Sequence, residues 1–253
     1  MGAIVGSFLN VCIVRIPMKQ SIAFPSSHCM QCLKPILWHD NIPIVSFFAL
    51  GGKCRHCHAR ISWQYPLVEA ATALIFTACF AVFGFSAKGI FYMALSSMLL
   101  VESVIDTRFQ IIPDKITLPG ILAGLLASTF FPSLQDEKIW RAGFLQSLLG
   151  ILLGGGILFL VATVGEWFFK KEAMGGGDLK LLAMIGAFTG WKGVLWTLFA
   201  GSFVGAIFGL YQRIKSGKEE IPFGPYLAAG AFLYLFLGQR FFEWYAGLIG
   251  FAG

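Results

Sequence analysis

Two carboxylates lie where apolar segments meet polar sequence. Asp178 follows three consecutive glycines, 175–177, and precedes an apolar segment, whereas Asp106 closes a different apolar segment one helical turn after Glu102. An ionisable residue at the edge of a membrane segment indicates a functional site, because placing a charge there is expensive. For Asp178 the alternative interpretation is a flexible linker that ends in a helix N-cap.

If these two aspartates meet, they could carry out general acid–base hydrolysis. Two carboxylates a few ångströms apart cannot both ionise cheaply, so one of them keeps a proton. The ionised member can then deprotonate a water molecule while the protonated member hydrogen-bonds the carbonyl that is attacked. The sequence has no G-x-S-x-G elbow and no H-E-x-x-H zinc motif that would supply a competing nucleophile. It therefore predicts Asp106 and Asp178 as the catalytic pair, with Asp114 as an ordinary helix cap.

Four of the six cysteines form a second chemical cluster. They occur as two C-x-x-C pairs, Cys29/Cys32 and Cys54/Cys57, with 21 residues between the pairs. This spacing is typical of four thiolates around one tetrahedral Zn²⁺. Two disulfides are the alternative, and a reducing cytoplasmic location would argue against them. Three neighbouring histidines could each replace a cysteine as ligand: His28, His56 and His58.

The composition sets the fold class. The chain has 253 residues, of which 57% are hydrophobic and 13% charged, with a mean hydropathy of +0.75. These values predict an all-α polytopic membrane protein with about eight transmembrane helices. The apolar segments are 1–16, 66–85, 88–105, 117–132, 143–168, 178–190, 192–211 and 223–248. A break is expected at Thr189-Gly190, after the shortest internal segment.

These segments predict three regions: a short first transmembrane helix (1–16), a cytoplasmic four-cysteine segment (17–65) and a seven-helix membrane bundle (66–253). When the connecting loops are assigned to alternate sides, fourteen of the 19 basic residues fall on one side and five on the other. The positive-inside rule then predicts that the cysteines and both aspartate loops face the cytoplasm. The basic residues lie in short loops, so we expect anionic lipids rather than nucleic acid as their partners.

Several sequence stretches resemble those of the type IV prepilin peptidases, the bifunctional leader peptidases and N-methyltransferases of type IV pilus and type II secretion systems. Together they cover nearly the whole chain. Besides the two C-x-x-C pairs, the matching stretches are Gly6–Val11 with Arg15-Ile16-Pro17, Asn41–Ser46, Gly51–Cys54, Tyr65–Glu69, Ile105-Asp106, Ile112–Asp114, Gly175–Asp178 and Ile221–Ala228.

The resemblance implies a membrane aspartyl protease whose catalytic residues match Asp106 and Asp178. Such an enzyme would remove the short basic leader of prepilins and related pseudopilins after a glycine, at the cytoplasmic face of the bacterial inner membrane. The resemblance further implies N-methylation of the new N-terminal residue from S-adenosylmethionine. The residues themselves give no support for this second activity, because the chain has no G-x-G-x-x-G cofactor loop.

Two functions of other classes remain as alternatives. A Mg²⁺-dependent membrane glycosyl-phosphate transferase would also use aspartates at the cytoplasmic boundary. A non-catalytic pilus or secretion assembly factor would use the cysteine segment for docking and the aspartates as structural pairs. Neither alternative accounts for both the aspartate stretches and the cysteine pairs.

Overall fold

The computed structural model describes residues 1–170, 175–216 and 222–248, so Met174, Ile221 and the last five residues of the expected bundle lie outside it. The described chain is helical, and its β-structure is limited to two isolated bridges. It forms two compact units, Met1–Gly84 and Phe85–Gly253. The helices are α1 (Gly2–Arg15), α2 (Val45–Ala49), α3 (Gln64–Phe83), α4 (Ala87–Phe109), α5 (Asp114–Phe130), α6 (Trp140–Phe169), α7 (Gly176–Ser216), α8 (Gly224–Leu233) and α9 (Gln239–Leu248).

Seven of the eight apolar segments coincide with a helix or half of one, and the last, 223–248, spans α8, a π-helical turn at Tyr234–Gly238 and α9. The expected break after Thr189 is confirmed, because Gly190 interrupts α7 with φ 67° and ψ −173°. Four described helices are long and apolar enough to cross a membrane: Gln64–Phe83, Ala87–Phe109, Trp140–Phe168 and Gly176–Tyr211. Large apolar side chains such as Leu74, Phe130 and Phe199 are more than 70% exposed, as expected for surfaces that face lipid. The protein is thus an integral membrane protein.

In the first unit, α1 and α3 pack closely through small residues. Gly2 and Gly6 are four positions apart, and a Cβ atom at either would lie 2.7 Å from a backbone Cα of α3, at Ala73 and Glu69 respectively. This is the small-xxx-small arrangement that lets membrane helices approach each other. Asn10 continues the contact by donating a hydrogen bond to the carbonyl of Tyr65. Later residues of α1 contact earlier residues of α3, so the two helices are antiparallel.

In the second unit, the first half of α7 lies at the centre. Between Leu181 and Phe188 its described side chains are almost fully buried. Gly186 and Gly150 bring the backbones of α7 and α6 into contact, so that a Cβ at either glycine would collide with the other's carbonyl. Near the break, the Ala187 carbonyl accepts hydrogen bonds from three side chains, Ser128, Ser147 and Gln135. These polar bonds hold the break in place inside an apolar bundle.

The helix directions bring four helix ends together. Gly120 of α5 faces Met184 of α7, and Gly124 faces Ala187 and Phe188, so α5 and α7 run in parallel and begin at the same end. The start of α8 meets the end of α4, where Asp106 lies. Asp106 and Asp178 therefore lie at one end of the second unit.

Candidate active site and metal centre

Asp106 lies in the last turn of α4. Its side chain is buried, at 6% exposed. The backbone N–H of Gly224, the first residue of α8, donates a 3.0 Å hydrogen bond to its Oδ2 atom. This donor satisfies one carboxylate oxygen and fixes the orientation of the group.

Asp178 lies in the first turn of α7, directly after the glycine loop. Its backbone N–H donates to the carbonyl of Gly175 at 3.1 Å, and its partly buried carboxyl group is close enough to Asp106 for the two to interact electrostatically. Ile112 lies between the two segments: a Cβ at Gly177 would meet its side chain at 2.8 Å, and one at Gly224 at 3.4 Å. The structure thus places the two predicted residues at the same end of the second unit, and their pairing and catalytic role stay predictions.

The other carboxyl groups near this pair differ in environment. Asp114 begins α5 and forms an exposed ion pair with Lys180, 2.6 Å between Nζ and Oδ1. Glu102 is completely buried one turn from Asp106, and neither of its oxygens has a hydrogen-bond partner among the described residues. Asp114 is exposed, as the sequence predicted, but it is not the helix cap, because Pro113 occupies the N-cap position and no side chain caps α5. Glu102, by contrast, is a buried group whose oxygens lack a hydrogen-bond partner among the described residues.

The four predicted cysteine ligands lie together in the first unit. The Sγ atoms of Cys29, Cys32, Cys54 and Cys57 all lie within 4.8 Å of one another, and Cys29 and Cys57 are 3.8 Å apart. Zn–S bonds of about 2.3 Å in a tetrahedron place neighbouring sulfurs about 3.8 Å apart. None of the four forms a disulfide. The donor set therefore fits a closed tetrahedral metal site, and the neighbouring histidines are not part of the cluster.

The two C-x-x-C knuckles share one backbone pattern. In the first, the Cys29 N–H donates to the Lys34 carbonyl, and the Leu33 N–H donates back to the Cys29 carbonyl. The second knuckle repeats both bonds with Cys54, His58 and Ala59. Leu33 and His58 occupy equivalent positions, with φ values of 58° and 56°. The sequence did not predict this structural repeat, because apart from the two cysteines the letters differ and the bonds involve only backbone atoms.

The surroundings of this cluster favour metal binding. Backbone hydrogen bonds from Cys57 and His56 lower the pKa of the Cys54 thiol to about 6, whereas desolvation and hydrogen bonds with the neighbouring thiols raise the pKa of Cys57 to about 11. Arg55, between the cysteines of the second knuckle, makes two hydrogen bonds of 2.6 and 2.7 Å to Asp40, and this contact lowers the pKa of Asp40. The bidentate pair ties the knuckle to the short helix at Trp38–Asn41.

Both units of the chain match models of known protein families. Residues 1–83 match the Bacterial Peptidase A24 N-terminal domain, and residues 93–210 match the Type IV leader peptidase family. The first match contains the four cysteines and the second contains both aspartates. No solved structure matches the chain.

Curated relatives are similar over most of the chain. A protein of Pseudomonas aeruginosa named prepilin leader peptidase/N-methyltransferase is 38% identical over 99% of this chain and 93% of its own length. One of the same name from Myxococcus xanthus is 38% identical over 86% of this chain, and the match spans 63% of that relative. A type 4 prepilin-like proteins leader peptide-processing enzyme of Escherichia coli is 34% identical over 95% of this chain and 93% of its own length.

Proposed function

The chain belongs to the type IV leader peptidase family, and on that premise we propose that it removes the basic leader from type IV prepilins and pseudopilins and then N-methylates the new N-terminus. In this proposal Asp106 and Asp178 hydrolyse the peptide bond, and S-adenosylmethionine supplies the methyl group. The observation that supports the protease assignment is that both residues lie at one end of the second unit, where Ile112 packs against both Gly177, next to Asp178, and Gly224, which contacts Asp106.

The chemistry needs one ionised and one protonated carboxyl group. The ionised group takes a proton from water, and the water oxygen attacks the carbonyl carbon of the scissile bond. The protonated group hydrogen-bonds the carbonyl oxygen, and the C–N bond then breaks as the leaving nitrogen gains a proton. The Gly224 N–H holds Oδ2 of Asp106 in one position and so orients this carboxyl group for the reaction. No covalent enzyme intermediate is needed.

The methyl-transfer activity rests on the relatives' names. If bound, S-adenosylmethionine would supply an electrophilic methyl group for the amine of the new N-terminus, with a neutral thioether as the leaving group and the amine proton lost to water. The protein's contribution would be to bind the donor and to present the new N-terminus. This activity is separate from hydrolysis in its chemical requirements.

We also propose that the four cysteines bind one structural Zn²⁺. The 3.8 Å separation between Cys29 and Cys57 supports this proposal, because it fits an edge of a ZnS₄ tetrahedron and is far longer than an S–S bond of about 2 Å. With four protein ligands such a site has no open position for catalysis. Its role would be to hold residues 17–65 folded.

For the membrane arrangement we propose eight spans in the bacterial inner membrane, with both aspartates and the cysteine segment on the cytoplasmic side. The agreement between the apolar segments and the helices supports the number of spans, if the two halves of α7 on either side of Gly190 count separately. The excess of basic residues in the loops on one side supports the orientation.

A cleavage assay tests the protease assignment directly. Purified protein in detergent is given a prepilin-like peptide with a basic leader, and wild type is compared with Asp106→Asn and Asp178→Asn. We expect each variant to lose cleavage while remaining folded, and the double variant to be no worse than either one, because a dyad acts as a unit. The matched control is Asp114→Asn, which removes only an exposed ion pair and keeps activity. Substantial cleavage by either single variant would reject the assignment.

A further inference from the structure

Large apolar side chains are exposed on the four-cysteine segment of the first unit, next to the start of α3. Val45 and Phe48 lie one turn apart on the short helix α2, and they are 61% and 62% exposed. The ring of Phe48 contacts that of Trp63, with centroids 6.2 Å apart, and Trp63 is itself 60% exposed. We call these three residues the α2 patch. Contiguous exposed apolar surface of this kind marks contact with another molecule or with a membrane.

The α2 patch continues the lipid-facing side of α3. Trp63 directly precedes α3, which is long and apolar enough to cross the membrane. Leu67 and Leu74 follow Trp63 by four and eleven residues, spacings that place all three on one side of a helix, and both leucines are exposed. The exposed surface therefore runs without interruption from the transmembrane part of α3, through Trp63, to α2.

The other side of α2 fixes the helix from within. Ser46 and Phe47 line a cavity of about 390 Å³ that is bounded by three separate stretches: α1, the four-cysteine segment and the start of α3. The Ser46 hydroxyl donates a 2.9 Å hydrogen bond to the His39 carbonyl, and the Phe47 ring packs against Trp63 with centroids 4.8 Å apart. Because these contacts hold α2 in one orientation, its apolar outer residues stay on the surface.

Two cations lie beside the α2 patch. Lys53 and Arg60 face each other in an isolated antiparallel bridge, and both are exposed. A hydrogen bond from the Ile61 N–H to the Gly52 carbonyl joins the two strands at this point, close to Trp63. Neither cation has a carboxylate partner among the described residues.

This combination matches the boundary of a bilayer that contains anionic lipids. Tryptophan is enriched at this boundary, because its ring is apolar and its N–H is polar. Apolar side chains next to it enter the acyl region, and neighbouring basic side chains are attracted by the negative head groups. The surface of α3 that the patch continues already faces the acyl chains, so lipid is the partner that the position favours.

We infer that the α2 patch docks on the bilayer, with its apolar side chains inserted among the lipids next to α3. Lys53 and Arg60 then contact the head groups of anionic phospholipids. This docking attaches the four-cysteine segment to the membrane surface at a third point, in addition to its covalent links to α1 and α3. The inference goes beyond the proposed function, because it depends on neither the aspartates nor methyl transfer.

Photolabelling in a bilayer tests the inference. The full chain is placed in lipid nanodiscs in which some phospholipid carries a diazirine near the glycerol end of an acyl chain. After illumination, mass spectrometry of peptides locates the lipid adducts. We expect adducts on Phe48 and Trp63 at yields comparable to Leu67 of α3, and far fewer on Leu33, an exposed apolar residue of the first knuckle. If Leu67 is labelled while Phe48 and Trp63 are labelled no more than Leu33, the inference is overturned.

Variants test the two parts of the contact separately. Phe48→Ser should lower the adduct yield at Trp63 roughly tenfold or more, since burial of a phenylalanine side chain is worth at least a factor of this size. Leu33→Ser is the matched control and should leave that yield unchanged. Replacing anionic by zwitterionic phospholipid should lower the yield at Trp63 in wild type but not in the double variant Lys53→Gln/Arg60→Gln. Equal yields from wild type in both lipids would reject the role of the two cations.

The remaining outcomes distinguish lipid from protein partners. If lipid leaves Phe48 and Trp63 unlabelled, while a photoreactive residue placed at position 48 crosslinks to a prepilin peptide or to a second copy of the chain, the α2 patch binds protein and the inference is wrong. Wild type that cleaves prepilin while the patch stays unlabelled overturns the inference and leaves the proposed function intact. Normal labelling without cleavage supports the inference and rejects the proposed function.

Discussion

Gly224 and Asp106 are in direct contact although 118 residues separate them: the Gly224 N–H donates to Oδ2 of Asp106 at 3.0 Å. The contact needs glycine, because a Cβ at position 224 would lie 2.7 Å from the same oxygen. The contact therefore links the start of α8 to the carboxylate and orients Asp106.

Gly224→Ala should reduce prepilin cleavage at least tenfold. The added methyl group forces Asp106 or the start of α8 to move, and a displacement of this kind at a reacting group is costly to catalysis. Initial rates of peptide cleavage measure the effect. Gly156→Ala is the matched control, because a Cβ there meets nothing within 4 Å. Wild-type rates from Gly224→Ala would show that the orientation of Asp106 does not depend on this contact.

The positions of the helices could be predicted from the sequence because apolar segments of membrane length leave a strong local pattern. The break at Gly190 was also predictable, since Thr189-Gly190 interrupts such a segment. The start of α5 was predicted three residues late, at residue 117, because its first turn holds the polar Asp114 and Lys115.

The contacts that shape the sites were not predictable in the same way. The Gly224–Asp106 bond and the Ile44–Glu69 bond join residues distant in sequence, and no local pattern encodes them. The cysteine cluster could be predicted because C-x-x-C spacing reflects ligand geometry itself. The cavity in the first unit could not, because it forms only when three separate stretches pack together.

Metal analysis should find about one zinc per chain in the purified protein. Cys57→Ser should lower this ratio strongly and make residues 17–65 more sensitive to proteolysis, because binding of a structural metal and folding are coupled. Cys12→Ala serves as the control, since Cys12 is buried in α1 away from the four-thiol cluster. Wild-type protein without zinc, with all four thiols open to alkylation, would contradict the proposal.

Replacing Glu102 by leucine should stabilise the protein. Both oxygens of this buried group lack a partner among the described residues, and an unsatisfied buried polar group costs about 1–3 kcal/mol. The midpoint of thermal unfolding in detergent should therefore rise, with cleavage kept within a fewfold of wild type. Glu166→Leu, at an exposed position, should bring no such gain. A more stable variant that no longer cleaves would instead assign Glu102 a part in the function of the neighbouring Asp106.

The two proposed activities should be separable by supplying each with its own substrate. A pre-cleaved pilin peptide with a free N-terminus makes methylation independent of hydrolysis. On this peptide Asp178→Asn should transfer methyl groups at near wild-type rates, because hydrolysis needs the carboxyl pair and methyl transfer does not. A cysteine variant that still inserts into the membrane should lose methyl transfer more than cleavage of a full prepilin peptide.

This expectation follows from where the chemistry lies. The aspartates belong to the second unit, where their orientation depends on α4, α7 and α8, and peptide hydrolysis by a carboxyl pair requires no metal. The four thiols and the cavity belong to the first unit, so loss of the metal should disturb the cavity wall that contains Cys29 and Cys54. Asp114→Asn should keep both activities. If folded Asp178→Asn fails to methylate the pre-cleaved peptide, the two reactions share one site. If cysteine variants that still insert into the membrane fail to cleave prepilin, the metal segment is part of the protease.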